Sequence, residues 1–202
     1  NNTDRRFTFS VPANAAIGTS YARGRVSSAG GLAPTGAAPD GEVEDHKVTI
    51  GLASPVLTTP AAAAKVDVTS NYRVTFQWAA IPQAVGYEIW VRSLNYQAQD
   101  EFHRTIVTGT SYTPNVDFGI GNYSVWMRSL GTGNSMSAWS AVRQFSTVAK
   151  PTITPMTKMQ PTSRPTITWN PVLGAETYKV WVSNLSTGKS PVILQEGLTT
   201  TS

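Results

Sequence analysis

The residues with the clearest capacity for chemistry lie in one short run, PDGEVEDH, at positions 39–46. The run holds four carboxylates and one imidazole, which belong to Asp40, Glu42, Glu44, Asp45 and His46. Carboxylate oxygens are ligands that calcium prefers, and the ion takes about six to eight oxygens in all. A general acid and base would instead need a second titratable group opposed across a cleft, and no such group stands out in the sequence.

Two interpretations of this acidic run follow. In the first, which we favour, the run is an Asp-Gly turn followed by a strand. Its carboxylates then accept backbone N–H groups or pair with Arg23 and Arg25. This interpretation predicts that Tyr21–Val26 pairs antiparallel with Val43–Ile50. In the second, the four carboxylates bind calcium, although their spacing does not match the EF-hand loop.

The rest of the sequence contains no catalytic pattern. Cysteine is absent, which excludes disulfides, thiol nucleophiles and thiolate metal sites. The two histidines, His46 and His103, are too far apart for zinc-ligand spacing, and neither belongs to a triad-like arrangement. The glycine-rich segments 119–124 and 131–134 predict hairpin turns rather than phosphate loops, because no helix follows them. We therefore expect no enzymatic activity.

Composition favours strands and turns. Charged residues make up only 14% of the 202 residues, and Thr, Ser, Gly, Ala, Pro and Val fill the difference. The net charge of +4 is scattered without a basic run, so we expect no nucleic-acid partner. No stretch is long and apolar enough for a membrane span.

The elements that must position these residues occur as a repeat. Residues 73–95 match residues 164–186 without a gap, at an offset of 91 positions. The identical pairs include Arg73 with Arg164, Trp78 with Trp169, Tyr87 with Tyr178, Trp90 with Trp181, and Val91 with Val182. Two shared tryptophans at one spacing indicate duplicated modules.

Within each module the hydrophobic period is two, which is typical of strands with one face in a core. The residues predicted to face inward are Val74, Phe76, Trp78, Tyr87, Ile89, Val91, Tyr123, Val125 and Met127. Turn signals separate these runs about every ten residues, which predicts an antiparallel β-sandwich.

At these positions the chain resembles the fibronectin type III family. The resemblance rests on Trp78, Tyr87–Val91, Tyr123–Val125 and Ser137–Ser140. It implies an all-β fold of tandem antiparallel β-sandwiches, immunoglobulin or fibronectin type III-like, each usually a seven-stranded spacer or binding module. It covers residues 53–149 as a complete module. It covers residues 150–202 as the first half of a second one, so we expect the last unit to lack its final strands.

The preceding segment, residues 7–50, resembles the end of the GEVED domain. The resemblance rests on Val11-Pro12, Tyr21-Ala22-Arg23, Arg25, Pro34–Ala37 and Asp40–Asp45. It implies that residues 1–52 are the C-terminal part of this domain, as found in large secreted bacterial proteins, and that the chain is a piece of a longer polypeptide.

Two positions depart from the GEVED pattern. His46 stands where tyrosine is usual, and Gly24 where a large apolar residue is usual. Because His46 shares its strand parity with Val48 and Ile50, we expect its ring to face the edge of a core.

The alternation also predicts one outward face that carries tryptophan and arginine. Trp90 and Arg92 should lie beside Trp126 and Arg128 on neighbouring strands, and Trp139 can join them, as a similar motif does in cytokine-receptor modules. Guanidinium groups over indole rings gain roughly 0.5–1 kcal/mol each at exposed sites. The set is either a self-stacking ladder that stiffens the sheet or a binding face for a glycan or a surface protein.

We expect a non-catalytic structural or adhesion segment at the cell surface or outside the cell. Its partners would be neighbouring domains of the same polypeptide, and it would need no cofactor unless the acidic run binds calcium. The alternatives are a carbohydrate- or protein-binding module and an accessory region of an extracellular enzyme.

Overall fold

The computed structural model describes residues 6, 8–12, 15–95, 101–155 and 165–199, in which nearly all regular structure is β-strand. The first two strands, β1 (Gly18–Val26) and β2 (Glu42–Ile50), form an antiparallel ribbon. Tyr21 pairs with Lys47, and Val26 pairs with Glu42. The predicted hairpin is therefore confirmed.

The central unit is a sandwich of a short sheet and a large sheet. Its strands are β3 (Leu57–Thr59), β4 (Lys65–Asp67), β5 (Phe76–Trp78), β6 (Gly86–Ser93), β7 (Glu101–Val107), β8 (Ser111–Tyr112), β9 (Gly121–Leu130) and β10 (Arg143–Val148). The short sheet has the order β3-β5-β8, and the large sheet has the order β4-β10-β9-β6-β7. The predicted all-β sandwich fold is confirmed.

One strand pair departs from the antiparallel expectation. The stretch PAAAAK at residues 60–65 is short and begins with proline, which predicts a loop, yet β4 begins at Lys65 and pairs parallel with β10. Pro60 has no N–H to continue the ladder of the short sheet. The chain instead crosses to the large sheet, where the Val68 N–H donates to the Val148 carbonyl at 2.8 Å.

The core lies between the two sheets and consists of the side chains that the period of two predicts. Every residue predicted to face inward in the central unit is buried: Val74, Phe76, Trp78, Tyr87, Ile89, Val91, Tyr123, Val125 and Met127. Leu57, Val68, Phe118 and Phe145 complete the buried cluster. Phe76 and Phe145 pack edge-on there, with ring centroids 5.8 Å apart.

The last two strands, β11 (Tyr178–Asn184) and β12 (Lys189–Leu198), form a second antiparallel ribbon. The repeat is visible in its packing. Tyr87 and Tyr178 each accept a hydrogen bond from a backbone N–H six residues earlier, at 2.8 and 2.9 Å. Each ring also packs on the preceding core tryptophan, at 5.3 and 5.5 Å. Arg164 lies outside the described residues, and the unit boundaries at 52/53 and 149/150 stay predictions.

The helical content of the described part is one short 3₁₀ segment, Thr132–Asn134. None of the described residues forms a helix with the length and hydrophobicity to cross a bilayer.

Candidate functional site

The candidate site is the outer face of the large sheet, where the predicted tryptophans meet. Trp90 on β6 is paired in register with Trp126 on β9. Their ring centroids are 5.1 Å apart, and Trp139 lies 5.8 Å from Trp90. Trp90, Trp126 and Trp139 are all half-buried. We call these three rings, together with the arginines described next, the Trp/Arg ladder.

Trp139 reaches the ladder because its segment runs along the C-terminal end of β9, beyond the residues of β9 that pair with β10. The Ser137 hydroxyl accepts the Ser129 N–H, and the Ser140 hydroxyl accepts the Met127 N–H, at 3.0 and 3.1 Å. The Ser140 N–H in turn donates to the Met127 carbonyl at 2.7 Å. Serine hydroxyls thus replace the backbone acceptors that a neighbouring strand would supply.

Arginines lie against the rings. The Arg128 guanidinium carbon is 4.7 Å from the Trp139 centroid. Arg104 lies 5.8 Å from both Trp90 and Trp139, and Arg92 lies 5.9 Å from Trp90. These separations are within the range of cation–π attraction.

Glu88 holds two of the arginines in place. Its Oε1 accepts from Arg104 Nε at 2.7 Å, and its Oε2 accepts from Arg128 Nε at 2.6 Å. The Glu88 side chain is only 9% exposed. Burial alone would raise the pKa of its carboxyl, but the hydrogen bonds and charges of Arg104 and Arg128 outweigh burial and hold that pKa below its ordinary value. The carboxylate is therefore ionised at neutral pH.

Arg104 of the ladder and its partner Glu88 were not among the residues predicted from the sequence. The alternation already placed Glu88 on the same face as Trp90, so its charge was a usable clue. Arg104 was hidden because β7 contains a bulge: Val91 pairs with His103, but Arg92 pairs with Glu101. The bulge breaks the period of two and conceals which side chains of β7 face outward.

The ladder is a closed arrangement. Its rings contact one another and its arginines, and the carboxylate of Glu88 offsets part of the guanidinium charge. A sugar stacks on a bare ring face, and the burial of these rings leaves limited area for such stacking. The structure brings Trp90, Arg92, Trp126, Arg128 and Trp139 together, while their role in binding a ligand stays a prediction.

The acidic run is distributed among separate partners. Asp40 accepts from the Ser27 hydroxyl at 2.8 Å and from the Ser28 N–H at 3.0 Å, and the Ser28 hydroxyl also bonds to it. Asp45 binds Arg23 Nε and Nη2 across the ribbon, both at 2.7 Å. Hydrogen bonds from Ser28 and Ser27 lower the pKa of Asp40, and those from Arg23 lower the pKa of Asp45.

This distribution does not suit a calcium site. The carboxylate oxygens of Asp40 and Asp45 accept hydrogen bonds from different protein groups. Within the described ranges, no three side chains of His, Cys, Asp and Glu are grouped so that they could hold a metal ion. Binding of calcium by Asp40, Glu42, Glu44 and Asp45 nevertheless stays an untested prediction.

Two expectations for the ribbon were wrong. Arg25 pairs with no carboxylate in the described structure, since its guanidinium donates to the carbonyls of Ala33 and Gly36. The His46 side chain is 71% exposed, so it does not lie at the edge of a core, and its Nε2 is 3.1 Å from Glu44 Oε2. The strand parity was right, but in the described structure this face of the ribbon is exposed to solvent over β2.

In the second module, Trp181 stands at the position equivalent to Trp90. Ser183 stands at the position equivalent to Arg92. The Trp181 indole N–H donates to the Ser183 and Ser190 hydroxyls at 2.9 and 3.1 Å, and Trp181 is 58% exposed.

Comparison with known proteins assigns the N-terminal segment. Residues 1–49 match the GEVED domain family. The predicted GEVED resemblance is therefore confirmed for this quarter of the chain. No curated protein matches the chain.

Solved structures with fibronectin type III-like units are among those similar to the chain. A Fn3-like protein from Clostridium thermocellum shares 18% identity over 48% of this chain and 98% of its own, with a TM-score of 0.33. The chicken CNTN1 FN1-FN3 domains share 12% identity over 76% of this chain and 55% of their own, with a TM-score of 0.35. A family 76 glycoside hydrolase from a bovine Bacteroides thetaiotaomicron strain shares 14% sequence identity over 48% of this chain and 20% of its own length, with a TM-score of 0.34.

These likenesses are too distant to carry function. The predicted order, a GEVED segment followed by an all-β sandwich, is confirmed. In the central unit it rests on the two packed sheets and the buried cluster between them.

Proposed function

We propose that this chain is a non-catalytic spacer segment of a large secreted or cell-surface bacterial protein, where it holds other domains at a fixed distance. The observation that carries the proposal is the closed Trp/Arg ladder. Its three tryptophans and its arginines engage one another, and Glu88 binds two of those arginines. Such a face stiffens the sheet instead of presenting bare rings to a ligand.

A display assay tests the spacing role. The chain is placed between a bacterial surface anchor and an N-terminal epitope tag, and binding of a large antibody is measured by flow cytometry. Deleting the chain should reduce antibody binding severalfold, and replacing it with two unrelated sandwich domains should restore binding. Equal binding with and without the chain would contradict the proposal.

The binding-face alternative is separated by a second measurement. The intact chain and its Trp90→Ala variant are applied to a glycan array, with Trp181→Ala as the control for loss of an indole outside the ladder. The spacer proposal expects no glycan bound above background by either form. A glycan retained by the parent and by Trp181→Ala, but lost in Trp90→Ala, would favour a carbohydrate-binding module.

A further inference from the structure

The turn that precedes β6 in the central unit recurs before β11 in the last unit, with the same backbone hydrogen bond. In the central unit the Ala84 N–H donates to the Ile81 carbonyl at 3.1 Å, and in the last unit the Ala175 N–H donates to the Val172 carbonyl at 3.0 Å. The third residue of each turn has a positive φ, +65° at Gln83 and +85° at Gly174. We call residues 81–84 and 172–175 the repeat turns.

Each repeat turn contacts the part of the chain that precedes its own unit. In the last unit the Leu173 carbonyl accepts the Ile120 N–H at 2.9 Å, and the Leu173 N–H donates to the Tyr72 hydroxyl at 3.3 Å. Tyr72 is itself tied to the same corner of the central sandwich, because its carbonyl accepts the Phe118 N–H at 2.7 Å.

Two glycines permit this close approach. A Cβ on Gly174 would lie 3.1 Å from both the nitrogen and the oxygen of Ile120. A Cβ on Gly119 would lie 3.2 Å from the Leu173 oxygen and 3.3 Å from its Cγ. Backbone therefore packs closely here, and a Cβ at either glycine would force the facing atoms to move by a few tenths of an ångström.

The first repeat turn makes the corresponding contact with a side chain. Gln83 occupies the position of Gly174, and its Nε2 donates to the Ala15 carbonyl at 2.6 Å. Ile81 and Pro82 line a cavity of about 310 Å³ together with Ile17 and Leu52. The two turns therefore occupy equivalent positions in their units and both contact the preceding part of the chain. The turn at 172–175 does so through backbone groups, and the turn at 81–84 does so through the Gln83 side chain.

We infer that the repeat turn is the docking element by which each fibronectin-like unit seats on the preceding unit and fixes the angle between them. Its partner is the neighbouring module of the same chain. The inference deepens the proposed spacing function and rests on it for its biological meaning, while the docking itself is a property of the isolated chain.

The junction of the central and last units can be tested by distance measurement between two spin labels. The chain has no cysteine, so Thr58→Cys and Gln195→Cys, both on exposed strand positions, give one label in each unit. Pulsed electron double resonance on the intact chain should yield a single narrow distance distribution. A broad or multimodal distribution in this parent would overturn the inference.

Substitutions then identify the contacts responsible. Gly119→Leu should widen the distribution at least about twofold. Gly51→Leu should leave it unchanged, because a Cβ added at Gly51 would meet nothing within 4 Å and the backbone there has no positive φ. If Gly119→Leu disturbs folding, Tyr72→Phe removes only the hydroxyl and should still widen the distribution. An unchanged distribution in Tyr72→Phe and in any folded Gly119→Leu would refute docking by this turn. The display assay can fail without affecting this result.

Discussion

Replacing Glu88 with glutamine keeps the size of the side chain but removes the charge that Arg104 and Arg128 share. Each hydrogen bond to a charged group contributes about 1.5–3 kcal/mol to stability. The Arg104 side chain is 41% exposed, so solvent screening reduces the contribution of that pair. The Arg128 side chain is 23% exposed and the glutamate only 9%. We therefore expect Glu88→Gln to lower the free energy of unfolding by about 2–3 kcal/mol, since glutamine leaves both guanidinium groups without an ionic partner.

The assay is urea unfolding of the intact chain at neutral pH, followed by tryptophan fluorescence. Asp117→Asn is the matched control in the same sandwich, because Asp117 binds Arg73 at 3.2 Å but is 55% exposed. Removing an exposed pair costs about 0–1 kcal/mol. If Glu88→Gln destabilised the chain no more than Asp117→Asn does, the ladder would not depend on Glu88 and our account of it would be refuted.

The effect of Glu88 also depends on pH. Its carboxyl has a pKa below the ordinary 4.5 in the folded chain, so the folded state favours the ionised form. The stabilisation is fully present above the ordinary pKa and is lost as the pH falls through the lowered one. The stability difference between the parent and Glu88→Gln should therefore be constant near neutrality and narrow below about pH 4.

Two further predictions concern the C-terminal end of β9 and the acidic run. Ser140→Ala leaves the N–H of the buried residue Met127 without its acceptor and should lower the free energy of unfolding in urea by about 1–3 kcal/mol. The control Ser111→Ala, at an exposed position, should lower it by less than about 0.5 kcal/mol. Equal effects would show that the Ser140 hydroxyl does not stabilise the C-terminal end of β9. Adding EDTA should leave the melting temperature in differential scanning calorimetry unchanged. The reason is that Asp40 binds Ser27 and Ser28, and Asp45 binds Arg23. A fall of several degrees would establish the calcium site instead.

The buried half of the sandwich could be predicted from the sequence because burial imposes a period of two. Phe76 alternates with polar neighbours, Ile89 and Val125 alternate with residues of the outer face, and every inward prediction in the central unit was confirmed. The match between residues 73–95 and 164–186 likewise reflected a shared local packing, with Tyr87 and Tyr178 bonded to equivalent turns. The alternation of residues along a strand therefore predicts the buried side chains correctly where one face of the strand packs on a core.

The failures have local physical causes. A bulge in β7 shifted the parity that would have revealed Arg104, and the crossing of the chain after Pro60 produced a parallel pair that no alternation pattern encodes. His46 was expected at a core edge because its strand alternates, but alternation identifies a face without saying what covers it. The partners of Glu88 depend on which strands become neighbours, which is a property of topology rather than of any one segment.

Whether the Trp/Arg ladder is closed in solution can be measured on the intact chain through the Nε protons of its arginines by nitrogen-15 NMR. Arg104 and Arg128 donate these protons to Glu88 beside the indole rings. We expect both protons to exchange slowly with water and to have chemical shifts changed by the ring currents of the indoles. In Glu88→Gln both protons should exchange fast and have the chemical shifts of free arginine. Fast-exchanging signals at the positions of free arginine in the parent chain would mean that the ladder is open, and would contradict the proposal that this face stiffens the module.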